Sequence, residues 1–221
     1  MKKKLLPWQL LTLVAVLAPS LYLVYVWPQL PTQVPTHFGP DGQANGYTAR
    51  TNMWLLTLGL PLGMALLFSA LPYLDPKRRL DTNSVNFQKL RLVVVALLGG
   101  LSCYSLYAAV QPATTSGNGL LVIMGLLVAF LGNYLTTVQP NYFIGIRTPW
   151  TLESPMVWAR THRIGGILFC LAGFLTAGLA LLLPAAYMHS ILVGLLSLIA
   201  VFCYAYSYTI FRQLERLSKM T

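Results

Sequence analysis

The residues able to do chemistry are concentrated between Gly132 and Gly166, in GNYLTTVQPNYFIGIRTPWTLESPMVWARTHRIGG. This stretch sets two Asn, three Arg, one His, one Glu, two Trp and three Pro between two apolar runs. Asn133 carries an amide that is costly to leave unpaired in lipid, so it is expected to hydrogen-bond across helices. Arg147 is an interfacial anchor, the partner of Glu153 in a buried ion pair, or a contact for an anionic ligand, since its planar fork binds carboxylates bidentately. Trp158 and His162 are four apart and share a face of any helix through them, with Arg160 and Arg163 pointing elsewhere. His162 then serves packing at the interface, or recognition and pH sensing. Trp150 and Trp158 are expected in an aromatic belt at the membrane surface. Hydrolytic chemistry in a membrane would need paired Glu with Arg and His on facing helices, or H-E-x-x-H, and the sequence has neither. No catalytic residue is predicted.

The local chain must hold these groups. Gln139-Pro140-Asn141 ends one helix, and Ile144 to Trp150, with Gly145, Thr148 and Pro149, reads as an extended turn. Ser154-Pro155 reads as N-cap and first residue of a new helix, with Glu153 just before it where the helix dipole favours negative charge. That helix carries Trp158, Thr161, His162 and Arg163 into the next apolar run. A second cluster, LPTQVPTHFGPDGQANGY, holds Pro35, His37, Phe38, Gly42 and Tyr47. Its prolines and glycines favour ordered turns over helix, with Asp41-Gly42 and Asn45-Gly46 as turn dipeptides. It forms either a compact cap or a recognition surface. A metal at His37 would need further ligands, and Asp41 and His189 lie on different loops. No metal or cofactor is predicted.

Composition supplies the setting. The 221 residues are 56% hydrophobic and 9% charged, with mean hydropathy +0.64, far too apolar for a soluble domain of this length. A bilayer core takes about 20 apolar residues per helix, and six segments qualify: roughly 5–27, 53–74, 90–110, 119–138, 164–184 and 189–210. The expectation is an all-α, polytopic, multi-pass protein of the bacterial cell membrane. With a cytoplasmic N-terminus, 14 of the 15 Lys and Arg fall in inside segments and only Arg50 outside, which orients both termini inwards. The same distribution accounts for the net charge of +10 without a nucleic-acid partner. The apolar run after the first lysines continues to Trp27 with no Ala-x-Ala site, so it reads as a retained first helix rather than a signal peptide. Cys103, Cys170 and Cys203 all fall inside spans and read as small hydrophobes.

Other elements follow from Gly and Pro. Pro19 is expected to kink the first helix, and Gly59, Pro61 and Gly63 to bend the second. Residues 81–91 read as a short amphipathic helix after the basic Lys77–Arg79 segment, itself a topology anchor or a docking surface. The third and fourth helices form an antiparallel hairpin. Gly125 and Gly132 share a face of the fourth, while small residues from Gly166 to Ala180 in the fifth serve packing within the bundle or between subunits.

The two clusters carry a resemblance. GN, PN-x-x-x-GIRTPWTL and VW-x-x-THR-x-x-G, at Gly132 to Gly166, resemble the signature of SdpI-type bacterial immunity membrane proteins. The V-P-x-H-F-x-x-x-G-x-x-x-x-Y element at Val34 to Tyr47 resembles the N-terminal domain of unknown function found in the same family. Arg50 stands where many members have Lys. The resemblance implies two units, 1–90 and 91–221, and protection against a secreted peptide toxin met on the outer side. It also implies a receptor that holds a cytoplasmic repressor protein at the membrane. An alternative is a transporter or flippase for a small molecule or lipid; no Asp or Glu falls inside a predicted span, which argues against proton coupling.

Overall fold

The computed structural model describes residues 5–74, 84–112 and 117–219. Among them are six helical segments long and apolar enough to cross a membrane. Helix α1 is Leu6–Val26. A hairpin of β1 (Gln33–Phe38) and β2 (Ala44–Ala49) follows. Then come α2 (Leu60–Leu74), α3 (Val85–Val110) and α4 (Gly117–Leu135). A five-residue α5 (Pro149–Glu153) precedes α6 (Pro155–Leu179) and the long α7 (Ala185–Ser218). The protein is an all-α polytopic membrane protein bearing one small β-hairpin. Ser84 N-caps α3, accepting from Phe87 N at 3.2 Å; the basic Lys77–Arg79 segment and the start of the helix expected over 81–91 lie outside the described residues.

The second span leaves α-helical geometry at one point. Residues Leu55–Gly59 form a π-helical turn, in which Leu60 N bonds to Leu55 O. Leu56 O thereby loses its α-helical donor, and Pro61, next in line for it, has no N–H. Ser102 Oγ of α3 fills the gap, lying 2.9 Å from Leu56 O and 2.9 Å from Leu98 O of its own helix. Where a bend was expected from Gly59, Pro61 and Gly63, the span carries a π turn closed by an inter-helix bond.

Close approach selects the principal pairs, α1 with α3 and α4 with α6. A Cβ on Gly132 would lie 2.7 Å from Gly166 O, and one on Gly125 would lie 2.8 Å from Gly173 O. Only glycine lets these two backbones touch. The small-residue face of the fifth span therefore serves packing within one chain, and α4 packs more closely on α6 than on α3. Phe68, Phe87 and Leu90 join α2 and α3 to Phe130 and Tyr134 of α4 and to Ile144 beyond it.

The segment read as turns is more regular than expected. Gln33 pairs with Ala49 and Pro35 with Tyr47, and the register becomes irregular at His37 and Phe38. Asp41-Gly42 is a turn: Gly42 has φ 79° and Gln43 N bonds to Asp41 Oδ1 at 3.0 Å. Asn45-Gly46 instead lies within β2, where Asn45 Oδ1 meets His37 Nδ1. The hairpin is anchored by Val34, which is buried with Leu23, Val26, Leu30, Met53 and Leu106. Phe38 adds an edge contact to Tyr104 of α3, at 5.3 Å and 64°.

Candidate functional site

The signature stretch folds into a hydrogen-bonded knot at the end of α4. Asn141 is buried and organises its own loop. Its Oδ1 accepts from Phe143 N at 2.8 Å and Ile144 N at 2.7 Å, while its Nδ2 donates to Gln139 O and Ile144 O. One amide side chain satisfies four backbone groups that no helix or strand would pair.

Trp158 and His162 form the floor. They are 1% and 2% exposed, and their rings stack at 4.0 Å and 17°. Trp158 Nε1 donates to Val138 O at 2.8 Å. His162 Nδ1 lies 2.9 Å from Trp158 O, and Ile146 N donates to His162 Nε2 at 2.9 Å. A carbonyl only accepts and an N–H only donates, so these partners assign the proton to Nδ1 and leave Nε2 bare. The ring is a neutral clasp between two backbone segments. Gly145 completes the fit: its φ is +125°, and a Cβ there would run into His162 Nε2 and lie 3.1 Å from the Trp158 ring.

Thr148 and Thr151 close the other side. Thr148 N-caps α5 with Pro149 at its first position, and the two threonines exchange bonds as a capping box. Thr151 Oγ1 also donates to Ile146 O at 2.8 Å, and Thr148 Oγ1 donates to Ser207 Oγ of α7 at 3.0 Å. Trp150 packs its ring 5.0 Å from those of Tyr204 and Tyr208. Ser154 caps α6, accepting from Val157 N at 3.4 Å. The helix begins at Pro155, as the Ser-Pro pair predicted, and runs unbroken into the fifth apolar run nine residues on.

Several residues stand elsewhere than the sequence suggested. Asn133 is exposed, and its side chain makes no hydrogen bond to a described residue; only its carbonyl is engaged, by Thr136 Oγ1 at 2.7 Å. It faces away from α6 because Gly132 occupies the contact face. Trp158 is a core residue, not part of an aromatic belt. Arg147 does not pair with Glu153; it is exposed and its Nη1 donates to Tyr142 O, while Glu153 is exposed too. Pro149 and Arg163 are exposed, whereas Thr161 is fully buried with Oγ1 unpartnered among the described residues. The extended turn stops at Thr148, since Pro149 and Trp150 open α5. Thr151 and Ser207 were missed as site residues. The first was legible as a Thr-x-x-Thr capping pair, while nothing in the sequence brings Ser207 back to Thr148.

The hairpin makes a second site at the opposite end of the helices. With the end of α3 it encloses a cleft of about 290 Å³, lined by Pro31, Pro35, Phe38, Gln43, Tyr47 and Ala108 among others. Tyr47 is exposed, as is His37. Gly42 and His189 meet at a smaller neighbouring cavity of about 60 Å³. Among the described residues no three of His, Cys, Asp or Glu converge as metal ligands.

These two folded motifs coincide with two family matches. Residues 137–207 match the model of the SdpI/YfhL protein family, and residues 14–60 match a domain of unknown function, DUF1648. The chain thus carries an SdpI-like segment behind a DUF1648-like one. The chain is 30% identical over 99 residues to the immunity protein SdpI of Bacillus subtilis (strain 168). That similarity covers 45% of this chain and 44% of the relative, so under half of the relative's length is matched. No solved structure matches.

Proposed function

We propose that this SdpI-type protein is a non-enzymatic immunity protein that protects its cell against a secreted antimicrobial peptide. The observation that carries the reading is the likeness to an immunity protein, joined to the placement of the two motifs at opposite ends of one helical bundle. In this reading the hairpin end faces outwards and meets the toxin, in a nearly uncharged setting of Pro, Gln and aromatic side chains. The signature end faces the cytoplasm, where Lys77–Arg79, Arg160 and Arg212 to Lys219 offer positive charge to an acidic repressor protein. The test is survival of a deletion strain, alone and complemented, under the cognate peptide. Sensitivity restored to resistance by this chain is expected. A deletion strain as resistant as its parent would remove the immunity reading.

A further inference from the structure

A cleft of about 480 Å³ opens at the surface where α4 ends and α6 begins. Its floor is the Trp158–His162 stack, whose ring nitrogens are all engaged by backbone groups and offer nothing to a ligand. Its mouth holds Thr136, Thr137 and Gln139, all exposed, and Arg163. Arg163 is exposed and forms no ion pair among the described residues, where the only salt bridges join Glu215 to Arg212 and Lys219. No carboxylate lines the cleft among the described residues.

The apolar continuation is what makes the cleft specific. Ile167 is 49% exposed at its edge, and Leu171 and Phe174 follow at 61% and 59%. Positions 163, 167, 171 and 174 advance by four, four and three, so they form one outward stripe along α6. From Arg163 to the end of α6 at Leu179 is about 24 Å at roughly 1.5 Å per residue. That length falls about 6 Å short of a hydrocarbon core of about 30 Å, a gap the apolar residues Ala180 to Leu183 after the helix fill, which sets Arg163 near the boundary between headgroups and acyl chains. The two helical turns before it, carrying the signature knot, stand among the headgroups. A cation at the boundary with an uninterrupted apolar track below it matches a molecule with a phosphate head and an acyl tail.

We propose that this α4–α6 cleft is a binding site for an anionic phospholipid, with its phosphate on Arg163 and the side-chain amide of Gln139, beside Thr136 and Thr137 whose hydroxyls donate to Asn133 O and Tyr134 O, and an acyl chain along Ile167, Leu171 and Phe174. The ligand chemistry is a phosphate diester; the source is the bilayer and not a free anion.

The test uses the full chain reconstituted in equal phosphatidylglycerol and phosphatidylcholine, extracted gently and analysed by native mass spectrometry for retained lipid. Wild type should retain phosphatidylglycerol over phosphatidylcholine about fivefold, the ratio one basic residue supplies at an anionic surface. Arg163→Ala should bring that ratio to about one. Ala159→Phe, which keeps the charge and fills the cleft, should do the same, whereas Arg160→Ala should not, because Arg160 does not line it. Equal losses in Arg160→Ala and Arg163→Ala, with Ala159→Phe unaffected, would show diffuse surface attraction and overturn the site. Displacement of the lipid by millimolar inorganic phosphate alone would assign a free anion instead, and a lipid-free dimer would assign the stripe to a second copy; either result overturns the proposal. Unchanged thermal melting of Arg163→Ala separates lost binding from lost folding.

Discussion

At the scale of single residues, the signature reads as a set of backbone clasps. Asn141, Trp158, His162, Thr148 and Thr151 each satisfy main-chain groups in a segment too irregular to pair them itself. Gly145 is where the loop meets the stacked rings most closely. Gly145→Ala sets a methyl against His162 and Trp158 at a positive φ, and is expected to cost about 1–3 kcal/mol, read as a lowered thermal midpoint in detergent. Trp158→Phe keeps the ring but strands Val138 O, with an expected loss of about 1–3 kcal/mol. Arg147 differs from both. It is exposed and makes one bond to a carbonyl that an ammonium also reaches, so Arg147→Lys should change stability by no more than about 0.5 kcal/mol. Lost protection at unchanged stability in that variant would assign Arg147 an anionic contact outside this chain. The sequence showed that Trp158 and His162 share a face, since a spacing of four does so in any helix. It did not show which way that face points, because burial depends on what the loop from Gln139 to Thr148 brings over it.

At the scale of elements, the six spans were legible because lipid demands long apolar helices whatever their partners. Their pairing was not. Gly125 and Gly132 announced a close contact, but only the fold chooses Gly173 and Gly166 as the opposite surface. The strands were hidden for a related reason: Pro, Gly and Asn lower strand propensity, and Val34 held against α1 and α3 outweighs that. The glycine contact yields a controlled comparison within α6. Gly173→Ala would press a methyl on Ala129 N and Gly125 O, whereas nothing lies within 4 Å of a Cβ at Gly178. Gly173→Ala should destabilise by about 1–3 kcal/mol, while Gly178→Ala should be neutral or stabilising by up to about 1 kcal/mol. Thermal melts of the two proteins side by side decide it. Equal effects would mean that α4 and α6 do not meet through this face.

At the scale of the whole molecule, the two devices lie at opposite ends of the spans, so orientation determines what each one meets. The Lys and Arg asymmetry predicts the hairpin outside and the end of α7 inside. With Cys103, Cys170 and Cys203 replaced, an impermeant thiol reagent on intact cells should label Gln43→Cys at the hairpin tip. It should reach Lys219→Cys only after permeabilisation, and the reverse pattern would invert the proposal. Given that orientation and the proposed function, protection and signalling would separate physically. Phe38 is a poor probe of the outer surface, since its ring holds the hairpin to Tyr104. Tyr47 is the better one: it is 60% exposed and lines the hairpin cleft. Tyr47→Ala should therefore weaken both survival under toxin and toxin-dependent recruitment of a tagged repressor, at normal protein levels. Reversing the charge of Arg78 and Arg79 should weaken recruitment alone, because a peptide arriving outside never meets them. Both readouts belong in the same strains, since recruitment depends on toxin binding but protection need not depend on recruitment. Loss of protection in the charge-reversed strain would mean that the two ends act as one unit, coupled through the glycine-packed α4 and α6 that link the signature knot to the far side.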